Sequence, residues 1–299
     1  MKKSASTPLR RIHEIMPELR VSSVRAGEDG LVHQVLIVNE EWVFRFSRTV
    51  EGRHALEREA RLLALVRSHV SLQVPELVIQ TPTCLVHRFI PGIPLTRHNL
   101  LALDPRGRTA VLEQLGTFLH DLQEIDDVTV PAGSPADLAM RTRQEYQRLY
   151  ENIERELLPH MMAWARLWVQ EHFRAAFEGL VDLTYAPAFI HGDLAPYHLC
   201  YDSNLHRLVG VIDFGDAGPG DPAADLASVI NAYGESLLWQ MEPVYAEITD
   251  LIDRARFLAG TLELRWGLAA IRSRDPAWFL CHLGYARDAW PIGWRGKKV

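Results

Sequence analysis

Two aspartates, Asp193 and Asp213, stand at the edges of two short apolar runs in the second half of the chain. The residues between them predict a β-hairpin, with strands at 198–201 and 208–212 and a turn at 202–204. A hairpin returns the chain on itself, so we expect both carboxylates on one side of one cleft. Two converging carboxylates can share proton transfer and the binding of a divalent cation.

The two aspartates lie in longer motifs, which read His-Gly-Asp at 191–193 and Ile-Asp-Phe-Gly at 212–215. In this order and at this spacing, the motifs resemble the catalytic loop and the metal-binding motif of the aminoglycoside phosphotransferase family, which has a protein-kinase-like fold. The resemblance implies that Asp193 is the catalytic residue and that Asp213 binds Mg²⁺. The alternative is that both aspartates only cap turns, where Asp is common.

The same resemblance implies an α+β, two-lobed, protein-kinase-like fold. A nucleotide-binding lobe of residues 1–90 would hold a small antiparallel sheet and one main helix, and residues 91–299 would form a larger helical lobe for catalysis and acceptor binding. The sequence pattern agrees, because strand-like alternation gives way to helical periodicity near residues 91–92. The hinge between the lobes is expected at about residues 87–93.

The N-terminal region predicts the secondary structure that such a lobe needs. Alternation and helical spacing predict strands at 21–24, 32–38, 42–46, 77–80 and 84–89, with a helix at 52–69. The link between the first two strands contains the glycines of a tight turn. In a kinase-like sheet this link, with Gly30, would overlie the nucleotide phosphates. The alternative is an ordinary hairpin turn.

Arg45, in the third strand, is expected to contact those phosphates. The kinase fold usually has a lysine here, but arginine can also bind phosphate, and it does so with two parallel hydrogen bonds. The family places a glutamate in the following helix that pairs with this cation, and Glu59 is our assignment. The alternatives are a solvent-facing arginine and a solvated helix carboxylate.

The stretch RFIPGIPL at 88–95 resembles the family's hinge. This places His87, Arg88, Phe89 and Ile90 beside the purine base of the nucleotide. The contacts would come from the main chain, so these side chains do not distinguish ATP from GTP.

His198 departs from the usual pattern of the kinase superfamily. Five residues after the catalytic aspartate, most members have an asparagine that acts as a second Mg²⁺ ligand, and histidine is a poorer partner for a hard cation. The histidine is nevertheless similar to the one in aminoglycoside 2″-phosphotransferases and macrolide phosphotransferases. The pentad that ends in Asp216 is closer to the first of these groups.

Helical periodicity dominates the rest of the chain. A helix is expected to begin at Asp104-Pro105, and a long helical region at 138–180 is expected to break near 158–159. We interpret Met162, Trp164 and Trp168 as core residues. The family has a structural aspartate at the position of Asp225, so this residue is expected to support the site.

An aminoglycoside is a polycation at neutral pH, so its pocket should be acidic. Asp216, Glu235, Glu263 and Trp266 are the candidate acceptor-binding residues. Asp216 lies three residues after Asp213, and Glu235 follows a predicted helix end that would open toward the cleft. The alternatives are solvated helix faces for the two glutamates and a core position for Trp266.

Composition limits the other classes of function. The chain has 299 residues, of which 47% are hydrophobic and 23% charged, and a net charge of −6 with no basic stripe, which argues against a nucleic-acid partner. No apolar run approaches the roughly 20 residues that span a bilayer. The three cysteines form no metal or disulfide pattern. A monomeric, cytoplasmic protein with no membrane partner is expected.

The sequence therefore predicts a small-molecule kinase that uses ATP or GTP with Mg²⁺ to phosphorylate a hydroxyl of an aminoglycoside. One alternative acceptor is a macrolide or another hydroxyl-bearing metabolite, such as a sugar or an amino alcohol. A nucleotide-binding pseudokinase is the alternative from a different class, since Arg45 and His198 depart from the commonest pattern.

Overall fold

The computed structural model describes residues 6–27, 33–125 and 142–273. Its N-terminal part contains a five-stranded antiparallel sheet with the strand order β1-β2-β3-β5-β4. The strands are β1 Val24–Ala26, β2 His33–Val38, β3 Trp42–Ser47, β4 Leu77–Thr81 and β5 Cys84–Arg88. The strand predicted at 21–24 begins three residues too early, because pairing begins at Val24, opposite Val38.

Two helices, α1 Ser6–Ile15 and α2 Val50–Val66, pack against opposite faces of this sheet. Side chains alternate along a strand, so Phe44 and Phe46 of β3 join the α1 side of the core. Arg45, between them, faces α2. The strand alternation thus places a cation beside the helix that carries Glu59.

The described C-terminal part is helical around two small sheets, one with the strand order β6-β8-β9 and the other formed by β7 and β10. Its helices are α3 Arg97–Leu101, α4 Pro105–Gln123, α5 Arg143–Asn152, α6 Ala163–Phe177, α7 Ala223–Tyr233, α8 Glu235–Leu238 and α9 Ile248–Ser273. Its strands are β6 Ile93–Pro94, β7 Ala188–Ile190, β8 Leu199–Asp202, β9 Arg207–Val211 and β10 Gly218–Gly220. The predicted hairpin is confirmed as β8 and β9.

The expected break in the long helical region is also confirmed. The helix α5 passes into a π-helical turn at Ile153–Leu157 and a 3₁₀ turn at Leu158–His160, where Pro159 cannot continue an α-helix. The predicted core positions in and just before α6 are wrong, since Met162 and Trp164 are each 71% exposed and Trp168 is 36% exposed. None of the helices in the described ranges is long and apolar enough to cross a membrane.

One hydrophobic cluster joins the two parts, in addition to the separate clusters on the two faces of the N-terminal sheet. Leu62, Leu63 and Val66 of α2 pack in the same cluster as the C-terminal helices. Main-chain hydrogen bonds join the parts as well, because Gln73 N–H donates to Val209 O at 3.2 Å and Val211 N–H donates to Gln73 O at 2.8 Å. The β8–β9 hairpin is therefore held directly against the N-terminal part.

Candidate active site

The catalytic-loop motif is held in place by a buried carboxylate. Asp225, in the first turn of α7, accepts hydrogen bonds from the main-chain N–H groups of His191 at 2.8 Å and Gly192 at 2.9 Å. Asp225 is 2% exposed. These contacts confirm the supporting role expected for Asp225 and fix the chain just before Asp193.

His191 supports the loop from inside the core. Its Nε2–H donates to Ile212 O at 3.1 Å, and its Nδ1 accepts from Asp193 N–H at 3.3 Å. Burial lowers the pKa of His191 to about 3. The neutral ring thus supplies one donor and one acceptor, which is what its two partners require.

His198 lies between the two aspartates. Its Nδ1–H donates to the main-chain oxygen of Asp193 at 2.7 Å and lies 3.7 Å from Asp193 Oδ2, while its Nε2 lies 3.5 Å from Asp213 Oδ2. When the ring is neutral, the bond from Nδ1 to a carbonyl places the lone pair on Nε2, on the side of Asp213. His198 and Asp213 can therefore offer two ligand atoms to one cation.

The two carboxyl groups have pKa values displaced in opposite directions. Burial raises the pKa of Asp193, His198 lowers it and Asp213 raises it, with a net upward shift. Burial also favours a higher pKa for Asp213, but Arg45, His198 and His191 outweigh it and hold that pKa well below the usual range. Asp193 is thus the better proton acceptor, and Asp213 stays ionised.

Arg45 links the N-terminal sheet to this pair. It is 8% exposed, forms an ion pair with the buried Glu59, and donates from Nη2 to Asp213 Oδ1 at 3.0 Å. Burial opposes the charge of Arg45, but Glu59 and Asp213 outweigh it and raise the pKa of the guanidinium. Burial raises the pKa of Glu59 to about 7 against the opposing effect of Arg45. A solvent-facing Arg45 and a solvated Glu59 are both excluded.

The segment expected to form the hinge follows β5. Arg88 N–H donates to Glu76 O at 3.1 Å, and Phe89 N–H donates to Glu41 O at 2.9 Å. His87 is buried, and its Nδ1–H donates to Arg88 O at 2.9 Å. Within the described ranges Ile90 N–H donates to no protein acceptor. The Arg88 and Phe89 N–H groups already donate within the protein. Each would have to break its hydrogen bond before it could donate to a purine base.

The candidate acceptor residues occupy different environments. Asp216 is exposed beside the site, and Glu263 and Trp266 lie on α9, with Trp266 38% exposed. The acceptor role predicted for Glu235 is wrong. Its side chain is fully buried, accepts from Arg256 Nε at 3.0 Å, and has no surface on which to meet an acceptor.

Two further observations bear on the predicted residues. Gly30 lies outside the described residues. Among those that are described, no group of three or more His, Cys, Asp or Glu side chains is placed to hold a metal ion. Asp213 and His198 would supply part of a coordination sphere, which suits a cation that also binds phosphate oxygens.

The sequence reasoning missed Arg58. This residue of α2 donates from Nη2 to Gly215 O at 2.6 Å, within the Ile-Asp-Phe-Gly motif. Its position directly before Glu59 on a helix predicted to pack near the site was the available signal.

Comparison with known proteins gives the family. The model of the phosphotransferase enzyme family matches residues 20–272. This chain belongs to that family. Viomycin phosphotransferase of Streptomyces vinaceus is 30% identical over 263 residues, which cover 84% of this chain and 88% of that protein. The enzyme is thus a phosphotransferase that transfers phosphate to a hydroxyl.

Solved structures show the same fold at lower sequence identity. The GDP and kanamycin complex of the aminoglycoside phosphotransferase APH(2″)-IIIa superposes with a TM-score of 0.81 at 24% identity, over 93% of this chain and 96% of that chain. Macrolide 2′-phosphotransferase type I superposes with a TM-score of 0.70 at 19% identity, over 94% and 96%. The expected α+β kinase-like fold is confirmed.

Proposed function

We propose that this phosphotransferase transfers the γ-phosphate of ATP or GTP to a hydroxyl of an aminoglycoside in a Mg²⁺-dependent reaction. The observation that carries the proposal is the placement of Asp193 and Asp213 on either side of His198, with their pKa values displaced in opposite directions. The bound GDP and kanamycin of a structural neighbour support the nucleotide and the acceptor class.

Asp193 acts on the acceptor. Its side chain is 48% exposed, so a hydroxyl can reach the carboxylate from the cleft. The carboxylate orients the hydroxyl and accepts its proton as the oxygen attacks phosphorus, and the raised pKa makes Asp193 a better base than an ordinary aspartate.

Arg45, Asp213 and His198 act on the nucleotide. Arg45 would contact the α- and β-phosphates, while Glu59 holds the guanidinium in place. Asp213 and His198 Nε2 would hold Mg²⁺, which supplies neutralisation of the phosphate charge that develops during transfer. The purine base of the nucleotide would lie at the hinge, residues 87–93. This hinge would connect a lobe of residues 1–90 with a lobe of residues 91–299.

The acceptor would approach along Asp216, Glu263 and Trp266. Two of these residues carry negative charge, which favours a polycation, and Trp266 offers an exposed flat surface.

A second acceptor class has a specific observation in its favour. Viomycin phosphotransferase is 30% identical to this chain, whereas the aminoglycoside enzyme is 24% identical. Viomycin or a similar antibiotic is therefore the second candidate acceptor.

The deciding experiment is an acceptor screen read by mass spectrometry, with ATP and GTP in parallel. The panel contains kanamycin and other aminoglycosides, viomycin, macrolides, sugars and amino alcohols. A gain of one phosphate on an aminoglycoside supports the proposal, and phosphorylation of another compound alone replaces the acceptor class. Nucleotide binding without transfer to any acceptor would favour the pseudokinase alternative.

A further inference from the structure

The helix α2 contacts the metal-binding motif directly. The turn Phe214–Asp216 packs against α2, and Arg58 of this helix donates from Nη2 to Gly215 O at 2.6 Å. Burial lowers the pKa of Arg58, whereas Asp216 and Glu59 act in the opposite direction. The guanidinium lies at the junction of the helix and the turn, near enough to Asp216 and Glu59 to feel their charges.

The contact is close to the functional carboxylate. A Cβ atom at Gly215 would lie 3.3 Å from Asp213 Oδ1, so the Gly215 main chain lies directly beside this oxygen. The same oxygen accepts from Arg45. A shift of the Gly215 main chain would therefore move the surroundings of the Asp213 carboxylate.

The turn also begins in an unfavourable backbone conformation. Asp213 has φ 65° and ψ 71°, in the left-handed region that residues with a Cβ disfavour. Contacts outside Asp213 must offset this preference. The bond from Arg58 to the second residue after Asp213 is one such contact.

We propose that Arg58 is a positioning residue that holds the 213–216 turn against α2 and thereby keeps the Asp213 carboxylate beside His198, ready for a divalent cation. The inference rests on the metal role of Asp213 in the proposed function. Because Glu59 follows Arg58 on the same helix and pairs with Arg45, α2 fixes the phosphate-binding cation and the metal-binding turn together.

The test compares Arg58→Gln with Arg58→Lys and with a control, Arg61→Gln. Arg61 is on the same helix, is 61% exposed, and pairs only at the surface with Glu57 at 3.1 Å among its described contacts. Calorimetric titrations with ADP and with GDP are run in EDTA and again in Mg²⁺. The ratio of the two dissociation constants measures the contribution of Mg²⁺ without turnover. Thermal unfolding of each ligand-free protein reports folding.

Arg58→Gln should reduce the Mg²⁺-dependent gain in affinity about tenfold, the effect expected from the loss of a charge-assisted hydrogen bond. Its affinity in EDTA should stay within about twofold of that of the unchanged protein. Arg58→Lys keeps the charge and one donor and should recover part of the gain, and it decides the test if Arg58→Gln does not fold. Arg61→Gln should behave as the unchanged protein.

Three outcomes have distinct meanings. If Mg²⁺ does not strengthen nucleotide binding to the unchanged protein, the metal role of Asp213 in the proposed function is overturned. If Mg²⁺ strengthens that binding and a folded Arg58→Gln keeps the full gain, only the role of Arg58 is overturned. An equal loss in Arg61→Gln would assign the effect to surface charge and would also overturn the role of Arg58.

Discussion

Asp193 and Asp213 are the same type of side chain in two different electrostatic environments. Asp213 accepts from the Arg45 cation at one oxygen, at 3.0 Å, and its other oxygen lies 3.5 Å from His198 Nε2. Asp193 has His198 as its neighbour at 3.7 Å, together with the repulsion of Asp213. Environment rather than residue type thus separates the proposed base from the proposed metal ligand.

Asp193→Asn tests the proposed base. The amide cannot accept the proton of the hydroxyl, so kcat should fall by about 10²–10⁴-fold, while nucleotide affinity should change little because the role arises at the acceptor oxygen. Steady-state kinetics on the phosphorylated acceptor, with nucleotide titrations, measures both. Asp202→Asn, at the last residue of β8, is the matched control. Near-normal turnover in a folded Asp193→Asn protein would remove Asp193 from the catalytic role.

Arg45→Met tests the buried ion pair. This change leaves Glu59, which is 1% exposed, without its cation. The free energy of unfolding should fall by about 3–5 kcal/mol, as measured by urea denaturation. Adding Glu59→Gln should recover part of this loss, because the buried charge is then removed as well. If Arg45→Met alone is as stable as the unchanged protein, the ion pair contributes nothing to the free energy of unfolding.

At the level of elements, the site is a junction of two helices, a hairpin and two loops. The helix α7 supplies Asp225 beneath the catalytic loop, and α2 supplies Glu59 and Arg58. The β8–β9 hairpin connects the two aspartate motifs. The catalytic loop and the metal-binding turn also touch, since a Cβ atom at Gly192 would lie 2.5 Å from Asp216 O. Close approach of these two loops therefore requires glycine at position 192.

Gly192→Ala tests this close approach. Gly192 has φ 82°, and the added methyl group would force the Asp216 carbonyl away. Gly179→Ala is a control with nearly the same φ, 81°, but with nothing within 4 Å of the added atom. In both variants the left-handed conformation of the new alanine should lower the free energy of unfolding by about 1–2 kcal/mol. Only Gly192→Ala should also lose most of its activity, measured as kcat with a saturating acceptor. Equal behaviour of the two variants would show that the loops tolerate separation.

At the level of the whole molecule, buried ionisable groups oppose one another as the pH changes. Burial lowers the pKa of His87 to about 4 and that of His191 to about 3, so both favour unfolding as the pH falls below about 6.5. Burial raises the pKa of Glu59 to about 7 and that of Asp225 to about 6, so both favour the folded state as the pH falls through the same range. Each group changes the free energy of unfolding by up to about 1.4 kcal/mol per pH unit between its two pKa values.

The free energy of unfolding of the ligand-free protein should therefore vary little between about pH 4.5 and 6. In this range the effect of the two histidines is opposite to that of the two carboxyl groups. Below about pH 4 the two carboxyl groups no longer contribute, and the lowered pKa of Asp213 adds to the loss, so unfolding should become steep. Urea denaturation at closely spaced pH values measures the profile. His191→Gln removes one opposing group, so its stability should rise relative to that of the unchanged protein as the pH falls from about 6.5 to 4.5. A constant difference between the two proteins would contradict the assignment of His191 as a buried neutral group.

The sequence alone determined the elements and the centre of the site. Alternation predicted the sheet strands, proline and capping residues marked the helix boundaries, and the hairpin between the two motifs implied that Asp193 and Asp213 converge. These features depend on residues close together in the chain, where backbone geometry and hydrogen-bonding capacity act directly. The pairing of Arg45 with Glu59 was available too, through the resemblance of their motifs to those of a known family.

Only the tertiary structure decided which side chains face which partners. Helical spacing could not show that Glu235 would be enclosed by Arg256 of α9, or that Met162 and Trp164 would stay exposed. Helical spacing also did not predict the contact between Arg58 and Gly215, which are 157 residues apart in the chain. The physical reason is that sequence periodicity identifies the apolar face of a helix, whereas the partner of a polar side chain depends on how distant elements pack.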